Sequence, residues 1–280
     1  MKLQHIVPLL LLCSSPVFAA DANPPLGLQL ESFKIRLGAD VPSGLDIVKA
    51  DGFTIIETAG TYKMTPEQFR AQLDAHGLKA VSTHFGYDEL KADLPKVIAS
   101  AKTLGSKNVI VAYIPHKGAF DADFAHKTAE QFNAWGKELE AAGIRFLYHP
   151  HGQEFRPLPE GGTGFDVLMA ETDPRYVSYE MDVFWIAIAG QDPVALLDRY
   201  PTRWKMLHLK DLKKGAPTGD FEGHTSIDNF VTIGTGQISF PPILAEARKI
   251  GIEYSFIEDE STDPVGNVPP SQAFLNSIKP

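Results

Sequence analysis

The segment AAGIRFLYHPHGQEF, Ala141 to Phe155, runs from a glycine through an apolar stretch into a cluster of ionisable residues. Upstream of Gly143, TAEQFNAWGKELEAAG carries apolar residues at three- and four-residue spacing, the pattern of an amphipathic helix that closes on glycine. RFLYHPH then reads as a short buried strand, with His149, His151 and Glu154 where the chain emerges from it. The same junction of glycine with isoleucine or leucine precedes apolar runs in HGLKAVS (76–82) and IGIEYSF (250–256). Helix ends feeding strands imply repeated strand–helix units.

Working outward, eight such runs can be placed: GLQLESF, FTIIETA, KAVSTHF, NVIVAYI, RFLYHPH, VSYEMDVF, KMLHLKD and YSFIEDE. Helical patterns separate them, such as TPEQFRAQLDAHG, which opens on a threonine cap and ends in glycine. A doubly wound sheet more often needs five or six strands; eight strand–helix pairs in about 250 residues fit a (β/α)8 TIM barrel, an α/β fold. No linker or low-complexity tract divides the chain, although 213–229 reads as a long loop. A single barrel domain is expected over 26–280, with the fifth strand inside Ile144 to His149.

The opening MKLQHIVPLLLLCSSPVFAA has a lysine near its start, an apolar core and small residues at Val17, Ala19 and Ala20. That is the pattern of a cleaved signal peptide, residues 1–19, and implies a secreted, periplasmic address rather than a membrane anchor. Cys13, the only cysteine, lies in this segment. The mature chain then has no thiol for a disulfide, a thiolate metal site or a nucleophile. Its charge shifts from −9 to −10 with the loss of Lys2. An acidic surface with no basic run interleaved with aromatics disfavours nucleic acid as a partner.

TIM-barrel sites form at the C-terminal ends of the strands. Here those ends carry Glu31, Glu57, His84, Tyr113, His149, His151, Glu154, Glu180, Asp182, His208, Lys210, Asp211, Glu258, Asp259 and Glu260. Two glutamates, an aspartate and a histidine from successive strands have the composition of a site for Mn, Mg, Co or Zn with positions open to substrate. Such an ion polarises a carbonyl or a vicinal diol and holds an enediolate.

The motifs YHPHGQEF, YEMDVFW followed by AGQDP, LHLKDL, GTGQISF and FIEDE, in this order, resemble the xylose isomerase-like TIM-barrel superfamily and its secreted sugar phosphate isomerase/epimerase-like members. The resemblance spans the mature chain and implies metal ligands Glu154, Asp182, His208 and Glu258, with His149 as the rival fifth-strand ligand because many relatives have glutamate there. It implies that Glu154 and Glu258 also shuttle a proton, and that Glu57, His84, His149 and Trp185 line the substrate. From the residues themselves, His151 is an acid/base candidate. Lys210 reads either as donor to a developing oxyanion or as a partner of Asp182 or Asp211.

The function expected is a metal-dependent isomerase or epimerase on a small carbohydrate, proceeding through removal of a carbon-bound proton. A lyase or hydrolase of 3-keto-glycosides is the alternative reading within enzymes. A carbohydrate-binding barrel without catalysis is the alternative outside them. A metal-dependent endonuclease is disfavoured by the acidic charge and the export signal.

Overall fold

The computed structural model describes residues 22–280, so the expected signal peptide lies outside the described residues. Eight parallel strands close into a barrel: β1 (Leu26–Gln29), β2 (Ile55–Thr58), β3 (Lys79–His84), β4 (Asn108–Val111), β5 (Arg145–Tyr148), β6 (Val177–Asp182), β7 (Trp204–Leu209) and β10 (Tyr254–Ile257). Each pairs with its chain neighbour, and β10 closes on β1 through Leu26↔Ser255 and Leu28↔Ile257. The eight strands read from the sequence are these eight. Strands β8 (Asp211–Leu212) and β9 (Phe230–Val231) form a small antiparallel ladder at the base of the expected long loop. No helix among the described residues is long and apolar enough to cross a membrane.

Local chemistry sets the strand–helix alternation. The helix Pro66–His76 starts on a reciprocal cap: Gln68 N–H donates to Thr65 Oγ1 at 3.2 Å and Thr65 N–H donates to Gln68 Oε1 at 2.9 Å. It stops at Gly77, where φ is +71°, and Gly143 turns the chain in the same way at +76°. Only glycine takes that left-handed turn without crowding its own Cβ, so each helix is cut off and the next residues are released into a strand.

Period-two alternation then sorts the side chains. Val81, Ile110, Leu147, Met206 and Phe256 fill the barrel interior. The alternate residues, such as Phe146, Tyr148, Tyr179, Met181, Leu207 and Ile257, pack outward against the helices in the main core. Above the apolar plug, the inward positions become polar.

Candidate active site

Strand parity decides which ionisable residues meet. On β6, Glu180 and Asp182 share the inward face; on β7 that face continues from Met206 to His208 and then Lys210; on β10 it passes from Phe256 to Glu258. On β5, Leu147 points into the barrel, so the next inward position is His149.

A continuous set of contacts joins them. His208 Nδ1 lies 2.8 Å from Glu258 Oε2, and its Nε2 lies 2.6 Å from Glu57 Oε1 and 3.2 Å from Glu180 Oε2. His84 Nε2 lies 2.7 Å from Glu57 and 3.3 Å from Glu180, while His149 Nδ1 lies 2.9 Å from Glu180. The Lys210 ammonium sits 3.0 Å from Asp182, 2.7 Å from Glu258 and 2.6 Å from Glu260. All of these groups except His84 and Glu260 are buried.

Burial opposes every charge here, and the partners decide the outcome. Burial alone would depress His84, but the Glu57 carboxylate and Glu180 lift it to about 9. His208 rises well above its ordinary value in the same way, against burial, through Glu180, Glu57 and Glu258. Lys210 is likewise raised by Asp182, Glu258 and Glu260. Asp182 and Glu258 resist burial and stay well below the usual carboxylate range, chiefly because Lys210 is beside them. His151 goes the other way: burial, then the charges of His149 and Lys210, push it down to about 3. Its Nδ1 is buried without a hydrogen-bond partner, and its ring stacks on His149 with centroids 4.7 Å apart. It is a neutral imidazole with a free nitrogen beside an ammonium.

Two groups of donor atoms lie within 4.8 Å of one another: His84, His149, Glu180 and His208, and Asp182, His208 and Glu258. Asp182 Oδ1 caps the following helix, accepting from the N–H groups of Phe184 at 2.9 Å and Trp185 at 3.3 Å. Its Oδ2 is buried without a hydrogen bond and faces His149 Nε2, equally unpartnered, at 3.3 Å. Glu180 Oε1 is a third buried acceptor without a partner. Two clusters of buried carboxylate and imidazole donors that share His208 fit a divalent cation, although Lys210 already stands 3.0 Å from Asp182 Oδ2.

Of the ligands expected from the sequence, Asp182, His208 and Glu258 are brought together and Glu154 is not. Tyr148, on the outward face of β5, donates its hydroxyl to Glu154 Oε1, and the Gly152 N–H donates to Oε2 at 3.0 Å. The one-turn helix Gln153–Phe155 thus carries Glu154 into the layer between barrel and helices, and the place beside Asp182 goes to His149. Glu57 also differs from its expected substrate contact. Fully buried, its carboxylate takes Gln29 Nε2 at 2.8 Å, Ser82 Oγ at 2.5 Å, and both His84 and His208. His84 lines the cleft; Glu57 holds it from below. Trp185 packs with Phe184, Ile188 and Leu212, and its ring centroid lies 5.4 Å from that of His151. Glu180 and Glu260 were not singled out as site residues. Glu180 was legible as the inward neighbour, two residues before Asp182; Glu260 had no such signal beyond lying two residues after Glu258.

Of these groups, His84, His151, Glu258 and Glu260 border a cleft of about 520 Å³ at the C-terminal mouth, with Gln29. The sequence profile of the xylose isomerase-like TIM-barrel family matches residues 45–278. An inosose dehydratase of Lacticaseibacillus casei is 27% identical over 259 residues, covering 82% of this chain and 85% of its own. A sugar phosphate isomerase/epimerase from Parabacteroides distasonis superposes with a TM-score of 0.73 at 27% identity, over 95% of this chain and 98% of that one. An IolI protein solved with a zinc atom shares the fold at a TM-score of 0.68 and 13% identity, over 91% of this chain and 96% of that one.

Proposed function

Because the chain belongs to the xylose isomerase-like TIM-barrel family, we propose that it is an enzyme that removes the proton beside the carbonyl of a small polyhydroxylated ketone, a keto-cyclitol or keto-sugar, and expels a β-oxygen substituent. The observation that carries this reading is His151, its Nδ1 buried without a hydrogen-bond partner, at the same cleft as Glu258 and Glu260, which hold the Lys210 ammonium 2.7 and 2.6 Å away.

The neutral His151 nitrogen accepts the carbon-bound proton. Lys210 donates to the carbonyl oxygen as negative charge grows there, and a preorganised donor in a dry site is most effective at that moment. The electron pair left on carbon forms a double bond as the β-oxygen departs, taking the proton that His151 removed from carbon and leaving as water or as an alcohol. Glu57 and Glu180 keep His84 and His208 in fixed orientations from beneath. Epimerisation begins with the same step but needs a proton donor on the opposite face. Glu154, the residue expected to supply it, is engaged with Tyr148 outside the barrel, which favours elimination, as does likeness to an inosose dehydratase.

Asp182, His208 and Glu258, with His149 beside Asp182, are the residues that would hold a divalent ion. Such an ion, when bound, supplies further polarisation of the carbonyl oxygen. His208→Ala is expected to lose both the metal and the activity, read by elemental analysis and by turnover. His149→Ala loses metal while Glu154→Ala retains it; the reverse pattern returns the fifth-strand ligand to Glu154.

Incubating the purified protein with an inosose and with 3-keto-glycosides, and following the products by NMR, tests the function. Release of water or aglycone with formation of an unsaturated ketone or its diketone tautomer is the expected outcome. Conversion only to an epimer or an aldose–ketose isomer contradicts elimination.

A further inference from the structure

The cleft extends well beyond the proton-handling groups. His151, Lys210 and Glu258 stand after β5, β7 and β10, whereas the cleft continues past His84 over the ends of β2, β3 and β4. There its apolar lining is Ala59, Phe85, Tyr87, Ala112, Tyr113 and Pro115, with the exposed carboxylates of Asp88 and Glu89 beside Tyr87. None of these has a part in proton transfer. Tyr113 is 53% exposed, and of the three large exposed hydrophobic side chains among the described residues, the others being Ile35 and Ile227, it alone borders the cleft.

The wall is braced from behind. Tyr87 meets Trp135 edge-on with centroids 4.8 Å apart, and Tyr113 leans on His116 at 6.3 Å, which in turn packs on Phe124 at 5.3 Å. An apolar wall left open to water inside a cleft marks a ligand surface. The volume of about 520 Å³ is in the range of sites that enclose molecules larger than one sugar ring. Glu31 and Glu260 also border the cleft and offer carboxylate acceptors for hydroxyl groups.

We propose that Tyr113 and Tyr87 form a second subsite, and that the substrate carries two rings: a keto-bearing ring over His151 and Lys210, and a second ring, sugar or aryl, against the aromatic wall. A sugar ring presents one face of C–H bonds and an edge of hydroxyls, so it suits aromatics in a cleft that also carries carboxylates; an aryl ring suits the aromatics alone. This specificity rests on the elimination reading, in which the second ring is the departing alcohol.

The test is Tyr113→Ala against Tyr113→Phe. For a 3-keto-disaccharide or an aryl 3-keto-glycoside, Tyr113→Ala is expected to raise KM about five- to tenfold, the worth of one aromatic contact, while Tyr113→Phe stays near the parent. For a single-ring keto-sugar neither variant changes KM. An effect on the aryl compound alone assigns the second ring as aryl; an effect on both assigns a sugar-tolerant wall. Equal effects on one- and two-ring substrates, or none on either, overturn the proposal. Saturation-transfer NMR with the parent disaccharide separates this from failure of the reaction itself. Contacts from the second ring that vanish in Tyr113→Ala support the subsite even if no turnover is seen, and their absence in the parent protein overturns it.

Discussion

His151→Ala is expected to lower kcat by about 10² to 10⁴-fold, the usual contribution of a positioned base, with metal content and thermal stability unchanged. The expectation follows from what surrounds the ring. His151 lines the cleft, so its ring borders the space a substrate would fill. Its Nδ1 makes no hydrogen bond that would have to break first. The ring stacks on His149 and neighbours Trp185, so it is held in place without being held by its nitrogen. Added imidazole is expected to restore part of the rate. A variant that keeps more than a tenth of parental kcat removes His151 from proton transfer.

Lys210→Ala produces two losses. The oxygen of the substrate loses its charged donor, which lowers kcat by about 10² to 10³-fold. Asp182 and Glu258, both buried, lose the ammonium that stands 3.0 and 2.7 Å from them. An uncompensated buried charge costs about 3–5 kcal/mol, which for a domain of this size lowers Tm by roughly 6–20 °C. Lys210→Met fills the same space without the charge and is expected to lose both properties as well. A thermal melt within 2 °C of the parent by calorimetry contradicts the buried-pair account of Lys210, because surface ion pairs alone cost this little.

The barrel was legible because its signals are local. Glycine at helix ends and alternation within short apolar runs placed β1 to β7 and β10, and the fifth strand fell inside 144–149. Asp182, His208 and Glu258 were legible for the same reason, each being the inward residue within one residue of the end of its strand. Glu154 was not, because beyond Tyr148 the chain leaves the strand and parity no longer applies. Gly152 takes a φ of +97° and a one-turn helix follows, and only tertiary packing shows Tyr148 reaching back to claim the carboxylate. Glu57 misled for a different reason: its position was inward as expected, but nothing in one strand reveals that Gln29, Ser82, His84 and His208 from three others close over it.

Proton removal from the carbon beside a carbonyl is measured most directly by turnover in D2O. With an inosose or a 3-keto-glycoside, the unsaturated product or its tautomer is expected to form, and solvent deuterium is expected on carbon in the product or in recovered substrate. Substrate deuterated beside the carbonyl is expected to react more slowly. Product that keeps every original carbon-bound hydrogen, with no label from solvent and no slowing by deuterium, contradicts proton abstraction as the chemistry of this site.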